Sequence, residues 1–278
     1  MARSGDRTLT TADDNPAEAD AAVLSQNRDA HGVYTLTLDR PAQYNALSDA
    51  LLDALSTALT RIAADPGVRC VVLAARGKAF CAGHDLKELR ATEDRDRHRA
   101  TFERCSTVMQ QIVALPVPVI ARVQGLATAA GCQLVASCDL AIASTTARFA
   151  VSGINAGLFC STPAVALSRN IATKRAFEML VTGDFIDATT ALDWGLLNRV
   201  VAADALDAEI ADLSARICSK SGYAIRRGKA LFHAQLEQPL SVAYQQASAV
   251  ISEDLSSVDA REGIDAFSGK RPPRWQDR

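Results

Sequence analysis

Aromatic side chains are scarce, at 5% of residues, which leaves little material for a base-stacking surface. The charges nearly cancel, with a formal net of -2, so neither nucleic acid nor an anionic membrane is an expected partner. No uninterrupted apolar run is long enough to cross a bilayer. The best candidate, around Ile112 to Val123, is broken by Pro116 and Pro118. No CxxC pair occurs among the seven cysteines, and their number is odd. That pattern argues against a disulfide framework and against a zinc site; no metal is expected, and reduced thiols suggest a cytoplasmic protein. The first 22 residues lack the apolar core of a signal peptide. Asp13, Asp14, Glu18 and Asp20 argue against a mitochondrial presequence, so 1–22 reads as a disordered tail.

What remains is an ordinary core-forming chain, 278 residues long and 48% hydrophobic. Val33 to Leu38 alternates like a strand. Ser48 is placed to cap a helix whose apolar stripe is Leu51, Leu52, Leu55, Leu59 and Ile62. Asp65-Pro66-Gly67 stops that helix, and Cys70 to Ala74 is a short apolar strand. The charged stretch 91–104 reads as a solvated helix face, with arginines near a phosphate as the sharper alternative. Pro116 to Val123 is strand-like, Ala129 to Ala136 helical, and Asp139 to Ala143 strand-like again. Strand, small-residue turn, helix and strand thus recur, which is α/β organisation with crossover connections. From about 204 the pattern is helical. Asp204 is the expected cap of the first helix over 205–217, followed by helices over 224–236 and 240–253.

Two small-residue segments stand out, FCAGHDLKEL (Phe80 to Leu89) and GLATAAGCQLVASCD (Gly125 to Asp139). Small residues let a ligand approach the backbone, and a helix N-terminus adds N–H donors and a favourable dipole. Ala82-Gly83-His84 and Ala129-Ala130-Gly131 both have that composition. Tight turns would have it too, and the residues alone leave both readings open.

These two segments, with DRPAQYNAL (Asp39 to Leu47) and VTGDFIDATTALDWGLLNRVV (Val181 to Val201), resemble the crotonase superfamily, the enoyl-CoA hydratase/isomerase family. The resemblance runs over about residues 30–273. GLATAAGCQLVASCD and GLFCSTP (Gly157 to Pro163) are similar to one subgroup within it. The resemblance implies an α/β fold, the crotonase (ClpP-like) spiral of ββα turns, over 23–203. It implies a C-terminal helical trimerisation region over 204–278, and a homotrimer or dimer of trimers. It implies an acyl-CoA or enoyl-CoA as substrate or ligand and no further cofactor. The thioester carbonyl would be polarised by two backbone N–H groups, whose positions match His84 and Ala130.

Family hydratases also use two glutamates, and those positions match Gln133 and Gly153. Neither residue titrates. A positioned acid or base typically contributes about 10²–10⁴ in rate, so losing both should remove most hydration. A CoA-thioester protein with weak or altered chemistry is therefore expected, and a non-catalytic binder or assembly partner is the alternative. Ser161 matches a position where some isomerases of the family carry aspartate, and its hydroxyl would orient water at most. Cys160 reads as a buried inert thiol, and Cys132 and Cys138 as core. His84 would titrate near neutrality in an ordinary setting. Ala82, Asp85, Leu86 and Lys87 resemble the family's wall for adenine and pantetheine, with Asp85 as a loop organiser and Lys87 either on a phosphate or solvated. Phe267 and Lys270 resemble a C-terminal pair that closes a neighbouring subunit's CoA site. Ala42 replaces a basic residue common after the Arg-Pro signature.

Overall fold

The computed structural model describes residues 22–278, so the tail expected at 1–22 lies, but for Ala22, outside the described residues. The chain enters as an antiparallel pair, β1 (Leu24–Arg28) and β2 (Val33–Leu38). Helix α1 (Asp49–Ala64) begins where expected: Ser48 accepts a hydrogen bond from the Leu51 N–H at 3.2 Å. Its apolar stripe goes into the core, with Leu51, Leu52, Leu55, Leu59 and Ile62 all nearly unexposed.

The chain then repeats one unit. β3 (Cys70–Ala75) and β4 (Ala79–Cys81) lead to α2 (Leu86–Arg90) and α3 (Arg95–Ala114). β5 (Val119–Val123) and β6 (Leu126–Thr128) lead to α4 (Ala130–Ser137). β7 (Leu140–Ser144) and β8 (Arg148–Ala150) lead through a 3-10 turn at Ser152–Ala156 to α5 (Ser161–Asn170) and α6 (Thr173–Thr182). Each turn gives its first strand to a six-stranded sheet, ordered β1-β2-β3-β5-β7-β10, and its second to a four-stranded sheet, ordered β4-β6-β8-β9. The closing elements are β9 (Ile186–Asp187), α7 (Ala188–Asp193) and β10 (Arg199–Val201). This is the ββα spiral of the crotonase fold.

β3 shows why these strands read as continuous apolar runs. Val71, Leu73 and Ala75 face the main core, while Cys70, Val72 and Ala74 face a second cluster with Leu206 and Ile210. A parallel strand covered on both faces has no polar side to display.

The helical region comprises α8 (Leu206–Cys218), α9 (Gly222–Gln235), α10 (Leu240–Asp254) and α11 (Val258–Ser268). Asp204 does not cap α8. It lies in a 3-10 turn, Ala203–Ala205, and no side chain caps the helix; Leu206 starts it, drawn fully into the second cluster. The strand expected from Pro116 starts only at Val119, because Pro116 and Pro118 have no N–H for the ladder. Helix α11 was not expected, although Ser257 caps it by accepting from Ala260 N at 3.0 Å.

One polar hub ties α9 to the core. Lys229 Nζ donates to Asp139 Oδ2 at 2.6 Å and to the carbonyls of Ile112 and Val117. Asp139 Oδ1 lies 3.0 Å from His233 Nε2, and Oδ2 accepts the Val119 N–H at 2.7 Å. Asp139 sits just past the C-terminal end of α4, so the hub fixes the helix whose other end carries Ala130.

Candidate active site

The two small-residue segments meet. A Cβ built on Gly83 would lie 2.9 Å from the Ala129 Cβ, 3.2 Å from the Thr128 carbonyl oxygen and 3.3 Å from the Ala130 nitrogen. A Cβ on Gly131 would lie only 2.0 Å from the Cys81 carbonyl oxygen. Side chains at 83 or 131 would therefore drive the end of β4 away from the start of α4. Gly83 also has φ +93°, and Ala129 holds a positive φ of 51° that costs backbone strain in a non-glycine residue.

The peptide planes around His84 are set by Leu47. Leu47 donates its N–H to the Gly83 carbonyl at 2.8 Å and accepts the Asp85 N–H at 3.2 Å. His84, between them, turns its own N–H away from Leu47. Ala130 is the first residue of α4, so its N–H has no intrahelical acceptor. Among the described residues neither N–H has a hydrogen-bond acceptor.

The DRPAQYNAL segment braces this loop. Arg40 reaches Asp85 at 3.2 Å and donates to the Ala46 carbonyl at 2.7 Å, with both charged side chains under a fifth exposed. Asp85 also accepts the Lys87 N–H, capping α2. Its carboxylate is thus engaged within the loop. Asn45 is fully buried at φ 54°. It accepts the Arg40 N–H and donates to the carbonyls of Arg76 and Ala79. Sequence reasoning read the segment as a signature and missed Arg40 and Asn45 as its working residues.

The His84 imidazole does not titrate near neutrality. Among the described residues both ring nitrogens are enclosed without partners, and the ring meets Phe102 edge-on with centroids 4.9 Å apart. Burial pushes its pKa down to about 4, against an upward pull from Asp49. The ring is neutral at pH 7.

Gln133 lies one turn into α4, 4% exposed, with its Oε1 enclosed and unpartnered among the described residues. Gly153 is crowded: a Cβ there would lie 2.7 Å from Cys160 Sγ and 2.8 Å from the Leu158 carbonyl oxygen. Cys160 is buried, its Sγ accepts the Gly153 N–H at 3.3 Å, and burial raises its pKa. Cys132 and Cys138 are core thiols, and burial pushes Cys132 up to about 12. Ser161 is exposed, and its hydroxyl donates to the Phe159 carbonyl at 3.3 Å.

Ala82 is half-buried beside Gly83, whereas Leu86 and Lys87 are exposed, and Lys87 makes no ion pair among the described residues. The arginines of 91–104 include Arg97 and Arg104, which pair with Asp49, and Arg104 also reaches Asp53. Phe267, 87% exposed, lies in the last turn of α11, and Lys270 follows the helix. Phe267 lines a separate apolar hollow of about 580 Å³ with Ile251, Leu255, Ile264 and Trp275. One polar pair went unread in the sequence: Thr128 Oγ1 and Ser152 Oγ, 2.8 Å apart beside the donor turn.

The spiral and its two meeting backbone segments are those of a crotonase, and residues 28–278 match the enoyl-CoA hydratase/isomerase family, to which the chain belongs. It is 46% identical over 252 residues to enoyl-CoA hydratase domain-containing protein 3, mitochondrial, of Rattus norvegicus, covering 91% of this chain and 84% of that one. The crystal structure of the human protein of that name superposes with TM-score 0.88 at 45% identity, covering 91% of this chain and all of that one. An enoyl-CoA hydratase structure from Mycobacterium smegmatis gives TM-score 0.90 at 56% identity, covering 91% and 98%. The subgroup suggested by GLATAAGCQLVASCD and GLFCSTP is thus that of the domain-containing protein 3.

The cytoplasmic location expected from the cysteines is overturned by the name of the rat relative, which is mitochondrial. All seven cysteines are unpaired, but free thiols mark a reducing compartment and do not distinguish cytosol from mitochondrial matrix.

Proposed function

We propose that the protein binds an acyl-CoA thioester, with the N–H groups of His84 and Ala130 donating to its carbonyl oxygen. The observation that carries this reading is the packing of Gly83 against Ala129 and Ala130, which places two uncommitted donor segments side by side. Such donors typically contribute about 10²–10³ each to reactions passing through an oxyanion. With Gln133 and Gly153 at the glutamate positions, water has no base to activate it. Hydration of an enoyl thioester is therefore slow, and chemistry that needs only a stabilised thioester enolate remains open. Ala82, Asp85, Leu86 and Lys87 would belong to the wall that holds the CoA moiety. Phe267 and Lys270 would act on a neighbouring subunit's site in a homotrimer or dimer of trimers. A role in fatty-acid metabolism follows from the ligand class.

A second reading is a non-catalytic acyl-CoA binder or assembly partner. The filled space at Gly153 favours it, since no carboxylate stem fits there without moving Cys160 and Leu158. Crotonyl-CoA hydration by the wild type separates the two readings from an ordinary hydratase: turnover at ordinary hydratase rates would overturn both. Calorimetry with butyryl-CoA tests the shared claim, and no binding would end it. Light scattering of the purified chain gives the number of subunits.

A further inference from the structure

The segment after α11 turns back and runs along the helix towards its N-terminal end. Arg271 pairs with Glu262, whose Oε1 also accepts the Arg274 N–H at 2.7 Å. Trp275 donates its indole N–H to the Ser219 carbonyl at 2.8 Å. Its ring lies against Gly263, where a Cβ would meet it at 3.3 Å. Asp259 accepts the N–H groups of Gln276 at 2.7 Å and Asp277 at 3.1 Å. Asp277 in turn accepts the Gly222 N–H at 2.7 Å and pairs at 3.0 Å with Arg69, which stands just before β3. One short segment thus joins α11, the start of α9 and the entry to the six-stranded sheet.

The weight on these bonds follows from how little else α11 buries. Ala266 is its one buried apolar side chain, while Val258, Ile264 and Phe267 are exposed. Its other buried residue is Asp259, 3% exposed. Three donors hold that carboxylate: the Ser221 hydroxyl and the N–H groups of Gln276 and Asp277. Two of the three belong to the returning segment. A buried carboxylate stripped of its donors is strongly destabilised, so α11 does not keep its place once the segment leaves. Asp277 also holds φ 60°, a strained conformation that persists where surrounding contacts fix it. Arg226 adds to them, donating to the Asp277 carbonyl at 3.0 Å.

We propose that residues 271–278 form a clasp whose opening releases α11 as a unit while the spiral stays folded. Among the described residues, none of α11 or of the clasp enters either apolar cluster of the spiral. Trp275 and Phe267 line the same hollow, so the closed clasp also sets the walls of that hollow. The clasp is independent of the thioester-binding reading.

Hydrogen-exchange mass spectrometry of the full chain tests it. Asp277→Ala removes the ties to Arg69 and Gly222 and should quicken exchange over 258–268 by at least about tenfold, with β3 and β5 unchanged. Asp277→Asn keeps an acceptor for Gly222 and should give a smaller increase. Asp259→Ala, at the other end of the contact, should quicken exchange over 274–278 as well as over α11. A contact of local importance alone would not give that cross effect. Unchanged exchange over α11 in Asp277→Ala would overturn the clasp. Equal acceleration over β3 and β5 would overturn it too, by making the segment part of the global fold. If Asp277→Ala does not fold, the same comparison in Asp277→Asn decides.

Discussion

Gly153 donates its backbone N–H to the Cys160 thiol at 3.3 Å, and that same sulfur fills the space a side chain at 153 would need. The space beside Gly153 is therefore occupied by a neighbour, and replacing Gly153 is a steric problem before it is a chemical one.

Gly153→Glu should destabilise the fold by roughly 1–3 kcal/mol, the usual range for overpacking. Cys160→Gly in the same chain should recover part of the loss, since the Leu158 carbonyl still stands in the way. Urea denaturation of the two variants measures this. A Gly153→Glu chain as stable as the wild type would show that the loop yields freely. Gln133→Glu with Gly153→Glu should accordingly fall short of ordinary crotonyl-CoA hydration.

Stability should depend on pH through His84. Its folded pKa of about 4 lies below the ordinary 6.5, because burial disfavours the cation. The unfolded chain therefore binds the proton first as pH falls. The contribution of a neutral His84 is complete above pH 6.5 and is lost progressively down to about pH 4, amounting to roughly 3 kcal/mol. His84→Gln should flatten the stability profile across that window. An unchanged slope would place the titration elsewhere.

Arg40 should govern the order of the loop that carries His84. Arg40→Ala removes the contacts to Asp85 and the Ala46 carbonyl, and amide exchange over 82–86 should quicken by at least about tenfold. Arg40→Lys should restore only part of the protection, because an ammonium lacks the guanidinium fork that reaches both acceptors. Exchange mass spectrometry follows both variants.

Lys229→Met should cost about 3 kcal/mol, since it leaves the Asp139 carboxylate, 16% exposed, short of its nearest cation. Lys229→Met with Asp139→Asn should cost less than the two single changes added together. Additive losses in urea midpoints would mean that the two residues do not act as a pair.

Local pattern carried much of the fold. Ser48 and the leucine stripe of α1 were legible because capping and helical spacing are properties of neighbouring residues. The β3 run was legible as a strand, although its two covered faces depend on α8, far along the chain. Asp204 misled, because where α8 begins is decided by the burial of Leu206 and not by the available cap. The two small-residue segments were legible in the sequence, and their side-chain surroundings less so. Gln133 and Gly153 could be read as residues that do not titrate. The crowding at Gly153 could not, since it needs the turn that brings Cys160 back over it. Nor could the depressed pKa of His84, which follows from its enclosure beside Phe102. The Thr128–Ser152 contact exists only once β6 and β8 are in register.

The 2.0 Å approach that a Cβ at Gly131 would make to the Cys81 carbonyl has a consequence for descent. The approach of β4 to α4 is written into glycines and strand ends, while residues such as Gln133 are replaceable side chains. Point substitutions can therefore alter the surroundings of that approach and leave its backbone frame whole, so that lineages drift in side chains while inheriting the same frame.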